Sequence, residues 1–225
     1  MQFELAAKCA PKEDILLNIE RAGIRAVELF LSKDILNDFK NIVKICKKFH
    51  FRYAVHSPND YYNPDILADF VTEINSEILT FHDIFWEDEW IEIINRFKNI
   101  KTKLCVENIG SVYDSSKFIR RFGFGRCLDI EHMQFEIFGV YEEELINLIK
   151  ESSHIHLTGY YAGSNLWHTH IHESREHCYH LLDLIKKADY KGMVVSEARV
   201  SLQTYEEFIK LKRFYDNWLI NQSHN

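Results

Sequence analysis

Short apolar runs and amphipathic stretches alternate along the whole chain. Eight runs read as β-strands, roughly 3–7, 26–30, 52–56, 78–82, 103–107, 126–129, 154–158 and 193–197. Around them, apolar residues recur at helical spacing near 12–22, 33–49, 64–75, 87–97, 114–121, 141–151, 173–188 and 203–220. Ser32, Asp114 or Ser115, and Ser201 stand where helix N-caps are expected. Alternating strands and helices imply parallel pairing, and eight such units favour an α/β architecture closed into a (β/α)8 barrel. An open doubly wound sheet competes, but no glycine-rich phosphate loop follows the first strand.

Seven of the eight runs carry a carboxylate or an imidazole at their C-terminal end or within two residues of it: Glu28, His56, His82, Glu107, Asp129, His156 and Glu197. A buried, unpaired charge is strongly unfavourable, so seven in register imply convergence on something positive. Side chains along a strand alternate with a period of two. Two residues before each stand Ala26, Ala54, Thr80, Cys105, Cys127, His154 and Val195, mostly small, as a crowded barrel interior requires. The residues between (Val27, Val55, Phe81, Val106, Leu128, Ile155 and Ser196) are mostly apolar and suited to face helices. The seven polar residues therefore belong at the C-terminal mouth, where barrel enzymes keep their sites.

Glu107, Asp129, His156 and Glu197 supply three carboxylates and one imidazole, a donor set that suits Mn²⁺, Zn²⁺ or Fe²⁺. His56 and His82 can hold a second ion with Glu107 bridging, or contact substrate instead. His132, three residues past Asp129, and His168 and His170, which follow His156 by 12 and 14, can hold a third. The alternatives are a hydrogen bond from His132 to substrate or to Asp129, and a solvated loop across His168, His170 and His172. One to three divalent ions per chain are thus expected. His154 reads as an inner-layer residue, Glu28 as a buried acceptor, and His177 and His180 as helix surface. Arg199, two residues past Glu197, can hold a phosphate or carboxylate, or pair with an acid. Tyr61, Tyr62, Tyr160, Tyr161 and Trp167 fall in loops at the mouth, to cover a sugar face or simply to pack the rim.

With 225 residues and 46% hydrophobic content, one domain over 1–225 is expected. A net charge of −7 repels polyanions and counts against nucleic acid as a partner. No run of about 18 apolar residues exists, so no membrane span is expected. Five cysteines without CxxC spacing suggest reduced, buried thiols in a cytoplasmic protein. Met1-Gln2-Phe3-Glu4-Leu5 lacks the basic and apolar regions of a signal peptide.

The segments Phe81-His82, Val106-Glu107-Asn108, Cys127-Leu128-Asp129-Ile130-Glu131-His132 and His156-Leu157-Thr158 resemble the xylose isomerase-like TIM-barrel superfamily (AP endonuclease family 2). Within it they look most like endonuclease IV, the apurinic/apyrimidinic endonucleases with three zinc ions. The resemblance runs through nearly the whole chain in order. It implies that Glu107 bridges two ions, with His56 and His82 completing one site and Asp129, His156 and Glu197 another. That family's third site joins a D-x-x-H histidine to a D-x-H pair. Here His132 takes the first place and His168-x-His170 the second, with histidine replacing aspartate.

Two reactions follow from the resemblance. One is isomerisation or epimerisation of a small sugar or sugar phosphate, with Glu107 and Glu197 exchanging a carbon-bound proton and His132 holding a substrate oxygen. The other is hydrolysis of a phosphoester at a multinuclear zinc centre, as in AP endonuclease IV. The short acidic chain, without a Lys/Arg cluster in its β/α loops, favours the small substrate. A non-catalytic metal-binding module is disfavoured by the nearly complete ligand set.

Overall fold

The computed structural model describes residues 3–109, 111–136, 142–161 and 167–222, with the backbone alone at 114, 134–136 and 167. Eight parallel strands close a barrel: β1 (Glu4–Cys9), β2 (Ala26–Phe30), β3 (Arg52–His56), β4 (Ile78–His82), β5 (Lys103–Glu107), β6 (Gly125–Asp129), β7 (Ser152–Leu157) and β10 (Met193–Ser196). Each pairs with the next, and β10 returns to β1. Between β7 and β10 a short antiparallel ribbon, β8 (Gly159–Tyr160) and β9 (Trp167–Thr169), lies at the C-terminal face. The helices are α1 (Glu13–Arg21), α2 (Lys33–Asn37), α3 (Phe39–Cys46), α4 (Pro64–Glu73), α5 (Glu87–Phe97), α6 (Val112–Phe122), α7 (Ile130–Glu136), α8 (Glu142–Glu151), α9 (Arg175–Lys187) and α10 (Tyr205–Gln222). This is the (β/α)8 TIM barrel.

Strand alternation divides the core in two. Ala6, Ala26, Ala54, Ile78, Cys105, Cys127, Met193 and Val195 fill the barrel interior. Their small size lets eight strands close around them. Val27, Val55, Phe81, Val106, Leu128 and Ile155 face outward into a larger core with the helices. There Trp90 of α5 is 1% exposed and packs its ring on Phe81, Phe85, Phe118 and Phe124, with centroids 4.8–5.5 Å away. All five cysteines are free and buried.

Local chemistry moved several boundaries. The helix expected over 33–49 breaks at Asp38 (φ −104°, ψ 25°), giving α2 and α3, while Ser32 does cap α2 by accepting from Ile35 N. Ser111, rather than Asp114 or Ser115, accepts from Tyr113 N and starts α6. Thr204, rather than Ser201, accepts from Glu207 N ahead of α10. Residue 141, first of the helix expected over 141–151, lies outside the described residues. No helix among the described residues is long and apolar enough to cross a membrane.

Candidate metal centre

Register sets the strand ends side by side. His82 pairs with Glu107 across β4 and β5, and Asp129 with His156 across β6 and β7. Asn108, the residue after β5, locks the next strand end: its amide donates to Asp129 O and its carbonyl accepts from Asp129 N, both at 2.9 Å. Thr158 donates its hydroxyl to Glu197 O at 2.9 Å, which holds the chain just beyond β10.

Glu107 stands at the middle and is 2% exposed. Its Oε2 lies 3.0 Å from His56 Nε2, 3.3 Å from His82 Nε2 and 3.5 Å from His156 Nδ1. Its Oε1 lies 3.6 Å from His132 Nδ1. Burial opposes its charge, but His156 beside it outweighs that and holds its pKa well below the carboxylate range.

The imidazoles show which charge the centre can accept. His56 Nδ1 faces Ser57 O at 3.0 Å, and a carbonyl only accepts, so Nδ1 carries the proton. Burial, aided by Lys8, lowers the His56 pKa and keeps the ring neutral. Its Nε2 lone pair therefore points at the Glu107 carboxylate, acceptor against acceptor. His156 repeats the arrangement. Its Nε2 faces Glu28 Oε2 at 3.0 Å, while Nδ1 lies 3.3 Å from Glu197 Oε1 and 3.5 Å from Glu107 Oε2. That Nδ1 is buried and has no hydrogen-bond partner. Burial works against an imidazolium here, yet Cys127, Glu28 and Glu107 raise the His156 pKa well above the usual value. Either a proton or a metal cation must separate these acceptors. A carboxylate or carbonyl behind the histidine is the usual support of a metal ligand.

The carboxylates give the same answer. Burial, then the charge of Glu107, pushes Asp129 up to about 6. Burial, then Asp129 and Glu107, pushes Glu131 up to about 8, and its Oε2 is buried without a hydrogen bond. The rim holds more negative charge than its own cations offset. Among the groups of described residues whose ligand atoms lie within 4.8 Å of one another are His56, His82 and Glu107; Glu107, Asp129 and His132; and Asp129, His156 and Glu197. Oxygen and imidazole donors of this kind fit a divalent ion such as Mn²⁺, Zn²⁺ or Fe²⁺.

The expected third set does not assemble. His168 has a positive φ of 59°, which breaks the strand alternation. It places Nδ1 3.6 Å from Glu131 Oε2 and 3.8 Å from Glu197 Oε2, on a half-exposed ring. His170 instead turns behind the barrel as the chain enters a 3₁₀ turn at Ile171. There it accepts from Ser196 Oγ at 3.0 Å and donates to Leu202 O at 3.2 Å. With both nitrogens engaged and the ring fully buried, His170 is separated from His132 and His168. His132 stays near the centre, its Nδ1 donating to Asn108 O at 2.8 Å. His154 and Glu28 form a buried pair at 2.7 Å beneath His156.

A cavity of about 510 Å³ opens beside Glu197 and is lined by Lys8, Phe30, His168, Arg199 and Gln203 among others. Arg199 thus faces the mouth. Tyr61 does not line this cavity; it packs with Ser57, Tyr62 and Phe85, under the Lys33 ammonium 5.6 Å from its ring. The Trp167 side chain lies outside the described residues. Lys8 was missed in the sequence because the first strand was ended at residue 7. It runs to Cys9, and two steps from inward Ala6 reach Lys8, in register with Glu28. Its ammonium contacts Glu197 Oε1 and lies 3.5 Å from Glu28 Oε1.

No protein-family model and no curated protein sequence matches the chain. Solved structures do. A xylose isomerase domain containing protein from Salmonella typhimurium is 15% identical with a TM-score of 0.68, over 97% of this chain and 98% of that one. A D-allulose 3-epimerase from Methylomonas sp. is 12% identical with a TM-score of 0.64, over 96% and 98%. The IolI protein with a bound zinc atom is 13% identical with a TM-score of 0.64, over 96% and 98%. At such identities the likeness establishes the fold alone, and that fold is the (β/α)8 TIM barrel.

Proposed function

We propose that the chain is a divalent-metal-dependent isomerase or epimerase of a small sugar or sugar phosphate. One observation carries the reading. Glu107 of β5 and Glu197 after β10, separated in the barrel by β6 and β7, both approach the unbonded His156 Nδ1, at 3.5 and 3.3 Å. With Asp129 these residues are the proposed ligands of one ion, which when bound would polarise a carbonyl and its neighbouring hydroxyl. Glu107 and Glu197 are the bases for the proton exchanged at carbon: one carboxylate takes it, and the same or the other returns it to carbon. His132, pinned by Asn108 O, holds a substrate oxygen. Glu28 fixes the His156 ring from behind, and Asn108 fixes Asp129.

A second reading has its own observation. His56 and His82 both meet Glu107 Oε2, at 3.0 and 3.3 Å, which is one ligand set more than a single ion needs. Two ions sharing Glu107 would suit phosphoester hydrolysis. The neighbours named as epimerase and xylose isomerase-domain proteins support the first reading. The test is metal content per chain, followed by NMR of ketoses incubated in D₂O with protein loaded with Mn²⁺, Zn²⁺ or Fe²⁺. Deuterium entering at the carbon beside the carbonyl, and lost in Glu107→Gln and Glu197→Gln, supports isomerase chemistry. Two or more tight ions, no exchange and phosphodiester cleavage would replace it with the hydrolase.

A further inference from the structure

One imidazole and two carboxylates meet where the turn after β9 packs on α10. His172 and Glu173 lie in the 3₁₀ turn Ile171–Ser174, and Glu207 in the first turn of α10. His172 Nε2 is 3.2 Å from Glu173 Oε1 and 3.1 Å from Glu207 Oε2. The ring stacks on His170, with centroids 5.8 Å apart, so the cluster lies beside the histidine that turns away from the mouth.

The His172 side chain is only 9% exposed, and neither ring nitrogen makes a hydrogen bond among the described residues. A buried polar group in that state calls for a physical reason. An ordinary hydrogen-bonded pair would put one oxygen on the line of the Nε2–H bond. Here both carboxylates are near enough, yet neither takes that place. Burial lowers the His172 pKa more than Glu207 and Glu173 raise it, so the ring is neutral. Ligands of a single ion are arranged in this way, each lone pair aimed at the metal and the donors flanking one another. Donors about 2.0–2.2 Å from a tetrahedral ion stand about 3.3–3.6 Å apart. The two separations at His172 fall just short of that range.

The backbone and a neighbouring lysine hold the donors in place. Glu173 N donates to His170 O at 3.1 Å, and Glu207 N donates to Thr204 Oγ1 at 3.3 Å. Phe208 and Leu211, both fully buried, seat α10 against the core. Lys210 donates to Glu207 Oε1 at 2.6 Å, which leaves Oε2 to face His172. Both glutamate side chains are partly exposed, so an ion can enter from solvent.

We propose that His172, Glu173 and Glu207 form a second metal site, which takes one Zn²⁺ with water in the remaining position and clips the first turn of α10 to the turn after β9. An imidazole with two carboxylates is a donor set that suits this ion. The site does not depend on the chemistry proposed at the mouth.

Calorimetric titration with Zn²⁺ in the Glu107→Gln background, where the mouth is weakened, tests it. One ion per chain is expected to remain. Its affinity should fall at least about tenfold when either Glu207→Gln or Glu173→Gln is added. Circular dichroism of both should match the background. In the parent, either glutamine should lower the zinc content after dialysis by one ion per chain. NMR of the histidine rings should show the His172 signal, assigned with His172→Gln, shifting as zinc is added. No zinc bound in the Glu107→Gln background would overturn the proposal. So would an affinity that neither glutamine changes, or a His172 ring that zinc leaves unmoved; the cluster would then be an ion pair only.

Discussion

A neutral imidazole has one donor and one acceptor, and His56 has its donor committed to Ser57 O. What remains is a lone pair 3.0 Å from a buried carboxylate oxygen of Glu107. A cation between them turns repulsion into ligation, and so does an amide in place of the carboxylate. Glu107→Gln should therefore separate folding from metal binding. Its NH₂ can donate to His56, so the metal-free variant should melt no lower than the metal-free parent. Its metal affinity should fall at least about tenfold, since a charged ligand shared by both sites becomes neutral. Elemental analysis after dialysis and paired melting curves decide it; full metal content in the variant would remove Glu107 from the ligand set.

His170 makes the opposite case, a histidine engaged entirely by the fold. Burial, assisted by His172 stacked 5.8 Å away and opposed by the Leu202 carbonyl and Glu207, lowers its pKa to about 4. The unfolded chain takes up that proton near 6.5, so between the two values it binds more protons than the native state. Stability is then complete above about 6.5 and declines as pH falls toward 4, by an amount on the order of 3 kcal/mol. Urea unfolding of the parent and His170→Gln at pH 7.5 and 5 should show their difference in stability shrinking at the lower pH. A constant difference would mean that His170 does not titrate as its surroundings dictate.

Among the elements, the turn after β5 matters most, because one side chain there sets a neighbouring strand end. Asn108 is 1% exposed and makes both of its 2.9 Å bonds to the backbone of Asp129. Asn108→Ala leaves that N–H and C=O buried and unpaired, at a cost of about 2–3 kcal/mol. It should also weaken metal binding, because Asp129 loses its anchor. Thermal melts with and without metal check both effects; a variant that melts lower but binds metal normally would confine Asn108 to stability. The polar strand ends were legible because parallel barrel strands put a period-two pattern in register, from His56 round to Glu197; Glu28 falls two residues short of the end of β2, in the layer beneath His156. Legibility failed where that period was cut short. Ending β1 at residue 7 hid Lys8, and the β8–β9 ribbon is too short to show alternation. The spacing of His168 and His170 suggested one face, but the positive φ of His168 and the 3₁₀ turn after His170 send them apart. The likeness of Val106-Glu107-Asn108 singled out Glu107 but not the role of Asn108, which depends on a bond between strands.

For the whole molecule, the decisive quantity is the charge gathered at one end of the barrel. Asp129 is pushed up to about 6 and Glu131 to about 8, so the folded metal-free protein holds protons that the unfolded chain releases near 3.8 and 4.5. Raised carboxylate pKa values make the sign clear. At low pH both states are protonated and nothing is lost; as pH climbs through 6 and then 8, the native rim must accept charges it cannot offset, and stability falls. A bound divalent ion supplies the missing positive charge and competes with those same protons. Its stabilising effect should therefore be small at pH 5 and large at pH 8. With metal at about a hundred times its Kd, the linkage is about 2.7 kcal/mol. For a chain of this length that raises Tm by roughly 5–10 °C. Melting curves of dialysed protein, with and without added Mn²⁺ or Zn²⁺ at both pH values, measure the two gaps directly. A gap that widens toward pH 8 ties the metal to the buried carboxylates. Equal melting with and without metal at both pH values would leave the cluster as a set of protonated pairs and remove the basis for a metal-dependent enzyme.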